Sequence, residues 1–187
     1  MRVFGVDPGS VRTGYGCVES DGTRHRLVSC GALSPPATEP FPDRLRAIHD
    51  GLLKLILAAA PDCVVIENLF HAKNVRSALT LGHARGVAML AAVEAGRPVF
   101  EYTPAEIKVA VVGYGRAEKA QLQQMVKLLL GLDVVPTPHD AADALAIAIC
   151  HAQATGGVFA APVRRAARAE RSWRHVKLSA IARRQAP

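Results

Sequence analysis

The chain has 187 residues, half of them hydrophobic and 21% charged, with a formal net charge of +7. That length suits one domain, or one domain with a tail, and the balance excludes a disordered chain, a collagen-like repeat and a disulfide-rich secreted module. The start, MRVFGVDPGS, does not read as a signal peptide, and no long uncharged apolar run offers a membrane span. A cytoplasmic protein without membrane contact is therefore expected.

In chain order, residues 2–6 (RVFGV) form a short β-rich run that ends at Asp7. Asp-Pro-Gly-Ser then makes a turn. Residues 13–19 read as a second strand with closely spaced glycines, and 24–33 as a third after the turn signal Asp21-Gly22. Short connections imply an antiparallel meander. The loop 34–42 carries Pro35, Pro36, Pro40 and Pro42. A helix follows over 43–60, with Leu45, Ile48, Leu52, Leu55 and Ile56 at helical spacing. Residues 62–67 (DCVVIE) are a continuous apolar run closed by an acid, the pattern of a buried central strand. An Ala-rich helix over 75–96, a fifth strand over 98–102, helices over 104–111 and 117–130, and a last helix over 140–154 complete the order. This predicts an α/β fold in which a five-stranded mixed sheet is flanked by helices. The folded domain is expected to span 1–157, leaving 158–187 as a basic tail that is mobile or only locally helical.

Charge is uneven along the chain. Residues 1–163 hold 15 basic and 15 acidic residues, whereas 164–187 hold eight basic residues and one acid. A cationic tail on a neutral body points to a polyanion such as nucleic acid, with a solubilising extension as the alternative. Cys17, Cys30, Cys63 and Cys150 sit in apolar segments without C-x-x-C spacing, so they read as reduced core residues.

Four carboxylates occupy telling places. Asp7 ends the first strand and Glu67 the fourth. Asp140 and Asp143 lie at i and i+3 on the opening turn of the last helix and share a face. If that helix crosses the ends of the central strands, all four meet. Such a cluster stays ionised only with positive company, and its oxygen-only donors suit Mg²⁺ or Mn²⁺. Two such ions could drive hydrolysis of a phosphodiester. Each acid also has a plainer reading: a turn opener at Asp7, a solvated strand end at Glu67, a helix cap and first-turn acid at Asp140 and Asp143. Lys73, Arg76 and Arg85 flank the acidic segment and are candidates to grip phosphates.

The segments GVDPGSVRTGYG (5–16), VVIENLFHAKNVRSALTLGHARGVAMLAAVEAG (64–96), VFEYTPAEIKVAVVGYGRAEKAQLQQMV (99–126) and DAADALAIAI (140–149) resemble the RuvC family of crossover junction endodeoxyribonucleases. The resemblance covers about 1–155 and leaves the tail outside. It implies a ribonuclease-H-like fold and a homodimer that nicks Holliday junctions in pairs, alongside a branch-migration helicase complex. It places the family's metal-binding acids on Asp7, Glu67, Asp140 and Asp143, two catalytic lysines on Lys108 and Lys119, and an aromatic that meets the junction on Phe70. It implies Mg²⁺, two per site, with Mn²⁺ as a substitute. It puts the helix bearing Gly82 and Gly86 at the subunit interface. The alternatives are a junction-binding protein without catalysis and an RNA-processing nuclease of the RuvX/YqgF type.

Overall fold

Alternation along one strand decides which way the site faces. In β1 (Arg2–Asp7), Phe4 and Val6 enter one apolar core while Val3 enters another on the opposite side of the sheet. Gly5 and Asp7 share the Val3 side by parity. The computed structural model describes residues 1–68 and 75–156 and the backbone of 164–165. β2 (Thr13–Ser20) and β3 (His25–Leu33) complete the predicted meander, both pairings antiparallel. β4 (Cys63–Glu67) and β5 (Val99–Tyr102) then add in parallel on the other side of β1. The sheet order is β3-β2-β1-β4-β5-β6.

The sixth strand, β6 (Arg164–Arg165), corrects the five-stranded expectation and the reading of the tail. It pairs antiparallel with β5, Arg165 opposite Phe100 and Arg164 opposite Glu101. Two arginines carry no strand pattern, so no periodicity announces it.

Helices cover both faces. On one side lie α1 (Phe41–Ala59) and α2 (Val75–Glu94). Ile48, Leu52 and Ile56 of α1 repeat every four residues and are fully buried against Phe4, Val6, Val64 and Ile66. α1 opens two residues earlier than expected, because Pro42 suits a first helical turn whose N–H groups have no partner anyway. α2 meets the sheet through Ala84, Ala88, Ala91 and Ala92, and Gly96 beyond it adopts a left-handed φ of 70° that ends the run.

On the other side lie α3 (Pro104–Val112), α4 (Lys119–Leu129) and α5 (His139–Thr155). α5 is the central helix, with 11 consecutive-to-neighbouring positions from Ala141 to Ala152 buried. It lies on the hairpin of β1 and β2 with almost nothing between. A methyl group at Gly5 would strike the carbonyl of Ala144, one at Gly14 the carbonyl of Asp140, and one at Gly16 the side chain of Leu145. Three glycines thus cut a slot that seats the start of α5. All four cysteines are free; Cys17, Cys63 and Cys150 are buried and Cys30 half-buried, as expected. Among the described residues, no helix is long and apolar enough to cross a membrane.

Candidate active site

Register brings two acids together at one end of the sheet. β1 and β4 run parallel, with Val6 beside Ile66 as their last registered pair. Asp7 and Glu67 follow directly, and parity turns both toward α5. Glu67 in turn pairs with Tyr102 of β5. The glycine slot sets the first turn of α5 over this edge, which delivers Asp143 into the same crevice. Asp7, Glu67, Asp143, Lys108 and Lys119 line it, with Ile107, Leu122 and Ile147 as its apolar wall.

Local sequence fixes the two lysines. Thr103-Pro104-Ala105-Glu106 is a capping box: the Glu106 N–H donates to the Thr103 hydroxyl, while the Thr103 N–H donates to Glu106 at 2.7 Å. This starts α3 firmly and aims Lys108, one turn on, at the crevice. At α4, the Gln121 side chain accepts from the Glu118 N–H at 2.9 Å. Lys119 is then the first residue of the helix, and its Nζ lies 2.5 Å from Asp143 Oδ2.

The crevice is electrostatically unfinished. Burial pushes the Asp7 carboxyl up to about 8, helped by repulsion from Glu67, Asp143 and Asp140 and opposed by Lys119. Burial also pushes Glu67 up to about 7, with Asp143 adding and Lys119 and Lys108 subtracting. Burial works against the charge on Lys119, but its hydrogen bond to Asp143 and the fields of Asp143, Asp7 and Asp140 outweigh it and raise its pKa. Asp143 Oδ1 is buried and lacks a hydrogen-bond partner.

Asp140 stands apart. It is not in the lining of the crevice; its Oδ2 lies 3.4 Å from Nη1 of Arg12, which also reaches Ser34 Oγ at 3.3 Å. It couples to Asp7 through the electric field alone. No three His, Cys, Asp or Glu side chains among the described residues form a ready metal cage. Lys119 and Arg12 hold two of the four acids instead. The donor set nevertheless fits a hard divalent cation: oxygen only, partly dehydrated, short of positive charge, and with one buried carboxylate oxygen still unpartnered.

The plainer readings of these acids lose ground. The turn after Asp7 is closed by Thr13, whose hydroxyl donates to the Gly9 carbonyl at 2.7 Å. Glu67 is half-buried rather than solvated. α5 begins at His139 after Pro138, without a side-chain cap, so Asp140 is not capping it.

The remaining candidates scatter. Arg76 is exposed on the first turn of α2, away from the crevice lining. Arg85 pairs with Glu101 of β5. Phe70 and Lys73 lie outside the described residues. Arg12 was not anticipated; it sits in an aperiodic turn, where its position five residues after Asp7 was the sole signal.

Residues 3–151 match the family described as crossover junction endodeoxyribonuclease RuvC. The chain belongs to this family. A RuvC of Chloroflexus aggregans is 56% identical over 152 residues, covering 81% of this chain and 93% of that one. Among solved structures, Thermus thermophilus RuvC is 37% identical with a TM-score of 0.76, covering 83% of this chain and 95% of that one. The same protein in complex with Holliday junction substrate gives a TM-score of 0.80 at 36% identity, with the same coverage. The RuvC likeness carries the expected ribonuclease-H-like fold with it. The crevice of Asp7, Glu67 and Asp143 thus lies in the matched part of a nuclease family, while the tail lies beyond it.

Proposed function

We propose that this RuvC-family chain is a structure-selective endodeoxyribonuclease that resolves Holliday junctions by paired, symmetric, metal-dependent phosphodiester hydrolysis in recombination and repair. The observation that carries this reading is the under-neutralised crevice, in which three carboxylates and two lysines converge at one end of the sheet. Asp7, Glu67 and Asp143, with Asp140 brought in from its pairing with Arg12, would hold Mg²⁺, two ions per site, with Mn²⁺ as a substitute. When bound, such ions supply an activated water and charge stabilisation at the scissile phosphate. Lys108 and Lys119 donate to phosphate oxygens and offset negative charge that grows in the transition state. Lys119 must leave Asp143 to do so, which couples its release to filling of the acidic site. Ile107, Leu122 and Ile147 keep one wall dry, so each charge in the crevice acts at higher strength than in water. Phe70 is assigned by resemblance to the junction centre, where a ring could stack on an unpaired base.

Symmetric cutting requires two sites, and a two-fold homodimer supplies them. The outer face of α2 supports this. Leu79 and Leu90 are exposed there, and nothing stands within 4 Å of a methyl group built on Gly82 or Gly86. With Leu45 of α1 they line an open apolar groove of the kind a second α2 would fill.

The test is a nicking assay on synthetic four-way junctions with Mg²⁺ or Mn²⁺, against linear duplex and structured RNA. Paired metal-dependent nicks in the junction are expected. Junction binding without nicks would favour the non-catalytic alternative, and RNA cleavage without junction cleavage the RNA-processing one.

A further inference from the structure

The body of this protein has no net charge to offer DNA. Residues 1–163 are balanced at 15 basic and 15 acidic, and at the crevice the balance is locally acidic. A phosphate approaching Asp7, Glu67 and Asp143 is repelled until cations intervene. The entire +7 lies in 164–187, which falls beyond the family match ending at 151. Seven of its eight cations are arginines (Arg164, Arg165, Arg168, Arg171, Arg174, Arg183, Arg184), the other being Lys177. Guanidinium groups suit phosphates, which they can hold through two parallel hydrogen bonds.

The fold places the start of this segment. Arg164 is registered opposite Glu101, one residue before Tyr102, which is itself paired with Glu67. Strands stand about 4.8 Å apart, so the Arg164 backbone lies roughly 10 Å across the sheet from the strand that ends in Glu67. β6 therefore attaches the cationic segment at the active-site end of the β5 edge.

We propose that residues 164–187 are a phosphate-binding arm, attached through β6, that grips the duplex arms of the DNA substrate. This rests on the reading of the substrate as DNA. The arm adds affinity and speeds encounter, while the crevice performs the chemistry.

Trp173, the one tryptophan in the chain, lies in this segment and reports on it directly. The experiment compares the full-length protein with a full-length variant carrying Arg168→Gln, Arg171→Gln, Arg174→Gln, Lys177→Gln, Arg183→Gln and Arg184→Gln, which leaves Arg164 and Arg165 in β6. Binding to a four-way junction is measured in EDTA over a range of salt, with circular dichroism and melting as controls for folding. Each lost phosphate contact removes about 0.9 from the slope of log K against log salt, so a drop of about 3 to 5 is expected. Affinity near 0.1 M salt is expected to fall at least about tenfold. Trp173 emission in the unchanged chain should shift on adding junction and return at high salt. The cleavage rate at saturating junction should not move. An unchanged slope, or Trp173 emission indifferent to DNA, overturns the arm even if the protein cuts junctions. Failure of the unchanged chain to bind junctions at all overturns the functional reading as well.

Discussion

Arg12 holds Asp140 at 3.4 Å from outside the crevice, so one of the four acids is kept by a turn residue rather than by its neighbours. Both partners are partly exposed, and a pair of this kind contributes less than about 1 kcal/mol. Arg12→Ala should therefore fold normally. It should also bind Mg²⁺ a few-fold more tightly, because a competing cation is gone. Calorimetric titration of metal into both proteins checks this; equal or weaker binding in the variant would show that Arg12 does not compete.

Asp7 carries the heaviest electrostatic burden in the crevice. Asp7→Asn removes a buried carboxyl that repels three others while keeping its shape. The metal-free variant should be more stable by about 2 kcal/mol, retain junction binding and lose cleavage. Denaturant unfolding and the nicking assay together test this, and full activity would remove Asp7 from the site.

Metal affinity should depend on pH. Folded Asp7 and Glu67 titrate near 8 and 7, above their ordinary values of 3.8 and 4.5. Between about pH 4 and 8 the folded, metal-free chain thus binds more protons than the unfolded chain. Its stability is favoured at the acid end of that window and falls as pH rises through 7 to 8. A divalent ion must displace those protons, so its affinity should climb with pH and level off above about 8.5. Titration in buffers of different ionisation heat counts the released protons; no release at pH 6.5 would contradict the shifted carboxyls.

His151 should act in the opposite sense. It is buried, hydrogen-bonded through Nδ1 to the Tyr102 hydroxyl at 3.0 Å, and its pKa is pushed down by burial to about 4. The unfolded chain binds this proton from about pH 6.5 downward while the folded chain refuses it. Stability is then lost between pH 6.5 and 4, by roughly 3 kcal/mol in full. His151→Gln, which cannot titrate, should flatten that limb in urea melts at pH 4.5 and 7. An unaltered pH dependence would mean that the histidine is protonated without cost.

Two glycines should answer oppositely to alanine. Gly14→Ala drives a methyl into the Asp140 carbonyl and should cost about 1 to 3 kcal/mol, with cleavage reduced at least about tenfold as α5 lifts. Gly86→Ala meets open space in a helix and should stabilise the monomer by up to about 1 kcal/mol. Thermal melts of the two variants, side by side, decide whether the slot is as tight as described.

Much of this architecture can be read from the residues. The β-rich runs, the acids that close β1 and β4, and the helical spacing of Ile48, Leu52 and Ile56 are local patterns, and local patterns predict local structure. The pairing of Asp140 and Asp143 on one helix face is likewise a matter of spacing. What spacing does not show is depth. Gly5, Gly14 and Gly16 are visible as glycines, but that they form a seat for α5 depends on a helix more than 120 residues away. Arg12 and β6 escape for the same reason, since a turn and a two-residue strand have no period. The division of labour among the acids, three in the crevice and one tied to Arg12, is a tertiary outcome that no motif specifies.

The backbone contact between α5 and the β1–β2 hairpin has a thermodynamic consequence. Elements joined through long side chains can part gradually, but a helix seated on glycines has no intermediate footing. Loss of the catalytic geometry and melting of the sheet should therefore be a single cooperative event, leaving no inactive yet largely native species on the way to the denatured chain.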